Sequence, residues 1–272
     1  MKPNSIRYQK SESVARIVKN NPPKYGMTKE MLVEMKWAIE DAGQDSDISV
    51  IVISADGDGF QLGATVFGEM GNKDWNLSSL EWRDISKFAH TLFRSIETLE
   101  KPVIGVAKTG AVGGGLENLH ACDFVIASEN AKFSQSEVNL GLIAGWGGTQ
   151  RLTRLVGWRK AKELLLTGVE IDGMEAEAIG LINKAVPIEL VDEEVEKLCD
   201  RLKRCAPVAW GYTKLSMNKV WETDHKSGLD FEVESLAMVA SENEFNQSVF
   251  DDFINGKQPV FVKRKNVTYD WG

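Results

Sequence analysis

The chain alternates between short unbroken apolar runs and longer segments whose apolar positions recur every three or four residues. Residues 14–18 read as a short strand, and 20–27, with Pro22, Pro23 and Gly26, as a loop. Thr28 can cap a helix running to about Ala42, with Met31, Leu32, Met35 and Ile39 on one face. Residues 47–54 contain Val50-Ile51-Val52-Ile53, a β-branched run that suits a strand buried on both faces of a covered parallel sheet. A long helix is predicted over 79–99, through Leu80, Ile85, Phe88, Leu92 and Ile96. Residues 102–106 form another buried strand. Three glycines (113–115) then lead into a short helix through Leu119, and 124–127 follow as a strand. This alternation implies an α/β core with helices on the sheet faces.

Beyond about Arg151 the pattern becomes helical, with helices predicted at 154–167, 173–180, 190–204, 207–220 and 226–241. Val186 and Pro187 mark a short extended link. The tail, 257–272, is polar and basic, then aromatic, and is expected to dock on the body or on another subunit. No internal repeat, low-complexity tract or clear linker interrupts the chain.

The 272 residues suffice for one large domain, or a domain with a helical appendage. A net charge of −8 and a pI near 5.1 argue against sequence-independent nucleic-acid binding, which needs an excess of Lys and Arg. Cys122, Cys199 and Cys205 lack metal-ligand spacing and cannot all pair, so they read as ordinary buried thiols in a reducing setting. His90, His120 and His225 form no ligand cluster, and His90 falls on a predicted helix as a structural or exposed residue. The first eleven residues hold no apolar signal segment, and no apolar run approaches the roughly 20 residues of a membrane span. The cytoplasm is the expected location.

Three segments carry candidate chemistry. In Gly113-Gly114-Gly115-Leu116-Glu117, glycines between a strand and a helix allow a sharp turn and close approach of a ligand to the main chain. The helix start aims free N–H groups at that point and would stabilise an oxygen gaining negative charge. A purely structural turn is the competing reading. A dinucleotide site is disfavoured, since the segment lacks G-x-G-x-x-G and the acidic residue about 20 positions on. The second segment is Phe60-Gln61-Leu62-Gly63-Ala64-Thr65, after the Gly/Asp loop 56–59; Gly63 and small Ala64 could expose a second N–H, or form only a tight turn. The third is Ser136-Glu137-Val138-Asn139-Leu140-Gly141, followed by Gly145-Trp146-Gly147-Gly148-Thr149-Gln150-Arg151-Leu152. Glu137 lies between apolar segments. Beside a second buried carboxylate it would make an acid–base pair near neutral pH. A surface Glu in a loop is the bland alternative.

Taken together, these segments resemble the crotonase (enoyl-CoA hydratase/isomerase) family. Residues 113–123 resemble its G-G-G-x-E-L-x-x-x-C-D stretch, with polar Asn118 in the Leu position. Residues 127–141 resemble its A-S-E-x-A-x-F-x-x-P-E-x-x-L-G run, and 147–152 match its G-G-T-Q-R-L. The likeness covers about 12–260 and is strongest over 101–185. It implies a ClpP-like spiral of repeated ββα units, with the core at 1–200 and a helical oligomerisation region at 201–272. It also implies a homotrimer or a dimer of trimers.

For the site, the resemblance implies an oxyanion hole at the N–H groups of Ala64 and Gly114, with Glu117 and Glu137 as catalytic carboxylates holding one water. Glu117 would be the base toward water attacking C3, and Glu137 would deliver a proton at C2. Leu62, Gly63, Thr65, Gly113, Leu140 and Trp146 are expected to line the acyl site. Lys24, Tyr25 and Lys263, or Lys257, are expected near CoA. The substrate would be an acyl-CoA thioester, with no cofactor beyond the CoA it carries, no metal, no nucleic acid and no membrane.

Departures from the family pattern are Thr65 for Asp, Lys108-Thr109-Gly110 for V-N-G, Ser136 for Pro, Ala144-Gly145-Trp146 for P-G-A, and Tyr25 for Asn. Trp146 could offer a flat face to a cyclic or otherwise unusual acyl group, or simply pack the core. Both carboxylates together favour a 2-enoyl-CoA hydratase. An enoyl-CoA isomerase, an acyl-CoA hydrolase, and a non-catalytic scaffold or RNA binder are the alternatives.

Overall fold

The computed structural model describes residues 3–20, 26–57, 59, 61–63, 77–241 and 243–257. Strands β1 (Ile6–Ser11) and β2 (Val14–Lys19) lead to helix α1 (Lys29–Gln44), then β3 (Val50–Ala55) and helix α2 (Ser79–Thr98). Strands β4 (Val103–Ala107) and β5 (Gly110–Val112) precede helix α3 (Gly114–His120). β6 (Phe124–Ser128), β7 (Lys132–Ser134) and a 3-10 turn (Ser136–Leu140) follow. Then come α4 (Gly148–Val156), α5 (Trp158–Thr167), β8 (Ile171–Asp172), α6 (Gly173–Ala178) and β9 (Lys184–Val186). Helices α7 (Val191–Lys203), α8 (Pro207–Glu222), α9 (His225–Ala240) and α10 (Asn243–Ile254) complete the chain.

The larger sheet has the order β1-β2-β3-β4-β6-β9. Only β1–β2 is antiparallel; the remaining pairs are parallel. The β-branched run of β3 and all of β4 are buried on both faces, as their sequences require. One face packs Ile17, Ile51 and Ile53 against Met31, Met35 and Ile39 of α1 and Leu92 and Phe93 of α2. The other packs Val50, Val52, Ile104 and Val106 against Val191 and Val195 of α7. A second sheet, β5-β7-β8, forms a separate core with α3–α6 through Leu116, Leu119, Phe133, Leu152, Leu164 and Ile171. Thr28 caps α1 by accepting from Met31 N at 3.1 Å. Ser78 and Glu81 form a capping box on α2.

The structure adds to the sequence reading in several places. β1 pairs along an edge of the sheet although its sequence, IRYQKS, is mostly polar. The helix expected over 154–167 is two helices, because Gly157 at φ +79° breaks it. The expected boundary at residue 200 falls within α7, whose apolar face lies on the sheet. Of the three cysteines read as buried, Cys199 is buried, Cys122 is partly buried and Cys205 is exposed. Helix α8 is tied down by Lys214, whose Nζ donates to Ile96 O at 2.8 Å and Asp123 Oδ2 at 2.7 Å.

Candidate active site

Helix α3 starts where β5 runs into Gly113, which adopts φ +55° and ψ −131°, a conformation that favours glycine. Glu117 sits one turn into α3 and is 2% exposed. Its Oε1 accepts from Trp146 N at 2.8 Å and Gly148 N at 2.7 Å. Burial pushes its carboxyl up to about 8, the Glu137 charge adds to this, and the two amide donors and Arg151 oppose it. The 145–148 segment is itself clamped. Arg151 Nη1 donates to Trp146 O at 3.0 Å, and Arg151 Nε donates to buried Glu97 Oε1 at 2.6 Å. Gly148 must lack a side chain, since a Cβ there would lie 2.7 Å from Ala144 Cβ and 3.0 Å from Glu117 Oε1.

Glu137 projects from the 3-10 turn after β7 and is partly exposed. Gln135 Nε2 donates to both of its oxygens at 3.2 Å. A Cβ on Gly113 would lie 3.1 Å from Glu137 Oε1, so this carboxylate rests on the glycine turn that starts α3. The first loop arrives at the same place. Gln61 bridges to β5 by donating its N–H to Gly110 O and accepting from Val112 N, both at 3.0 Å. A Cβ on Gly63 would lie 2.9 Å from Gly114 N. The Gly114 amide opens α3, where the first N–H groups have no carbonyl within the helix to bond.

These groups line one cavity of about 460 Å³, which contains Leu62, Gly63, Gly113, Gly114, Glu117, Glu137, Leu140 and Trp146. The structure therefore brings together every described residue expected at the catalytic and acyl site. Ala64, Thr65, Lys24, Tyr25 and Lys263 lie outside the described residues. Lys257 is exposed just beyond α10 and does not line the cavity. Trp146 is 5% exposed, packs edge-on against Phe93 with ring centroids 6.3 Å apart, and also forms part of the cavity wall. Among the described residues no cluster of His, Cys, Asp and Glu could hold a metal, and no helix is long and apolar enough to cross a membrane.

The sequence reading did not single out the supports. Gln135 lies two residues before the Glu137 carboxylate it steadies, and the Glu97–Arg151 pair is distant in sequence from Glu117. His90, read as structural or exposed, has its Nε2 2.8 Å from Gly145 O, next to the Glu117 anchor. A further wall is one face of α2, carrying Ser79, Trp82, Arg83 and Ser86 at helical spacing.

The family model for enoyl-CoA hydratase/isomerase matches residues 9–264. The chain belongs to that family. It is 37% identical over 236 residues to a crotonyl-CoA hydratase of Syntrophomonas wolfei, covering 86% of this chain and 89% of the relative. It is also 37% identical over 239 residues to a short-chain-enoyl-CoA hydratase of Clostridium acetobutylicum, covering 87% and 89%. A crystal structure of an enoyl-CoA hydratase subunit from Geobacillus kaustophilus superposes with a TM-score of 0.88 at 28% identity, over 96% of this chain and 99% of that one.

Membership of the enoyl-CoA hydratase/isomerase family accounts for the crotonase spiral, and the departures from the family pattern can now be placed. Ser136 opens the 3-10 turn ahead of Glu137 and lines the cavity. Lys108 pairs at the surface with Asp192 of α7, away from the carboxylates. Ala144 is buried against Gly148, and Trp146 combines a core position with an amide donor to Glu117.

Proposed function

We propose that the protein is a 2-enoyl-CoA hydratase that adds water across the C2=C3 bond of an acyl-CoA thioester. The observation that carries this reading is the pair Glu117 and Glu137 on one cavity wall, beside the Gly114 amide. The pair holds one water between its carboxyls. The water oxygen bonds to C3 while one carboxylate takes its proton, and the other carboxyl donates a proton to C2. Negative charge moves through the conjugated system to the thioester oxygen, which the Gly114 N–H, with that of Ala64, stabilises.

In the free protein, burial favours a proton on Glu117. In the ionised form that a base requires, the Trp146 and Gly148 amides stabilise the Glu117 carboxylate. The reaction needs no cofactor, because CoA is part of the substrate. The substrates named for the relatives favour a short acyl group over a cyclic one. Exposed Val220, Leu236, Phe253 and Ile254 on α8–α10 support association into a trimer or a pair of trimers. Three unpaired thiols fit a cytoplasmic setting.

The test is loss of the conjugated enoyl-thioester absorbance with crotonyl-CoA, a longer straight enoyl-CoA and a cyclic dienoyl-CoA. Glu117→Gln and Glu137→Gln should each lower kcat by roughly 10²–10⁴-fold. Absence of hydration, with isomerisation or thioester hydrolysis in its place, overturns the reading.

A further inference from the structure

Lys19 ends β2, and its side chain is fully buried. Lysine is almost never wholly buried without an ionic partner. Among the described residues no carboxylate pairs with Lys19. Its Nζ donates instead to Gln61 Oε1 at 2.7 Å. Gln61 is fully buried too, and its Nε2 donates to Val106 O at 2.5 Å. The Gln61 main chain is bonded on both sides to β5, through Gly110 O and Val112 N. Every polar group of Gln61 is therefore engaged, and the charge of Lys19 is one link in holding it.

Gln61 stands where the first loop presses on the start of α3. A Cβ on Gly115 would lie 2.2 Å from Gln61 O, and one on Gly63 would lie 2.9 Å from Gly114 N. Contacts this close fix the 61–63 backbone relative to the Gly114 amide. Burial pushes the Lys19 ammonium down to about 8, which leaves it cationic at neutral pH. Beside it, the partly buried Cys122 thiol is pushed up to about 12 and stays neutral. A buried cation whose partner among the described residues is an amide is a poor choice for stability, and an apolar side chain of the same length would be a better one. The residue is unfavourable for folding at a place adjoining the point where the reaction develops negative charge.

We propose that Lys19 is a positioning residue for the thioester oxygen site: acting through Gln61, it fixes the first loop against Gly114. The inference rests on the hydratase reading.

Two variants, Lys19→Met and Lys19→Gln, test it in the full-length protein. Lys19→Met should melt at or above the wild-type temperature. Its KM for crotonyl-CoA should stay within about threefold, and its kcat should fall at least about tenfold. Acetoacetyl-CoA supplies a second readout, because its enolate absorbs in the near ultraviolet. Binding to wild type should raise the enolate band, and binding to either variant should raise it less. Wild-type kcat and an unchanged enolate band in the variants overturn the proposal. So does failure of both variants to fold, which would make Lys19 a structural residue. Failure of the hydratase reading itself is recognised separately, as absence of hydration by the wild type, and the enolate comparison still decides the role of Lys19.

Discussion

Replacing Glu117 with Gln should make the protein more stable as it makes it inactive, and the gain should depend on pH in a calculable way. In the unfolded chain the carboxyl ionises near its ordinary 4.5, and in the folded protein near 8. Below 4.5 both states are protonated, and the stability that the group contributes is fully present. As pH rises, the unfolded chain ionises first and gains, so the folded state loses about 1.4 kcal/mol per pH unit until the folded carboxyl also ionises. Across the interval from 4.5 to about 8 the loss amounts to about 5 kcal/mol. Gln has the same shape, keeps an acceptor for the Trp146 and Gly148 amides, and does not titrate. The stability of Glu117→Gln minus that of wild type should therefore rise steadily from pH 5 to pH 8, by several kcal/mol. Urea unfolding at matched protein concentration measures this, with the eight tryptophans as the fluorescent signal. A difference that stays flat over this range would show that Glu117 ionises like a surface carboxyl, and the acid–base argument would fall with it. In a Glu137→Gln background the rise should end at lower pH, since the Glu137 charge helps to hold the proton on Glu117.

Arg151→Met leaves Glu97 buried and unpaired and frees the carbonyl of Trp146; it should cost about 3–5 kcal/mol, with much of the loss recovered by adding Glu97→Gln. Gly113→Ala places a methyl 3.1 Å from Glu137 Oε1 at φ +55°. It should lower kcat by more than about tenfold and stability by about 1–3 kcal/mol, as steady-state kinetics and thermal melting would show. Trp146→Ala empties a site against Phe93 and should cost about 3–5 kcal/mol. The same variant should shift relative kcat/KM toward bulkier acyl groups, and an unchanged preference would remove Trp146 from the acyl wall.

The parts of the fold that could be read from sequence are those with a strong periodic signal. The β-branched run of β3, the cap at Thr28 and the apolar stripe of α2 each specify one local structure. β1 escaped because an edge strand buries little: only Ile6 is fully covered in Ile6–Ser11. Strands β5, β7 and β8 have two or three residues each, too few for a two-residue period to show. At the site, Glu117 and Glu137 were legible through the glycine motifs around them. The amides that hold Glu117 were not, because a backbone N–H has no letter in the sequence. Lys19 was hidden for a different reason: as the last residue of β2 it reads as a solvated strand end, and its partner Gln61 lies 42 residues away in sequence.

The cavity has walls of two kinds. One is made of main chain and glycine, where Glu117 is held by two amides and Glu137 rests on Gly113, and a substitution there disturbs the chemistry directly. The other is the α2 face carrying Ser79, Trp82, Arg83 and Ser86, on an element that carries neither carboxylate. In evolutionary terms the two walls are free to diverge at different rates. Successive substitutions along α2 would let descendants of this chain accept different acyl groups while hydrating all of them in the same way.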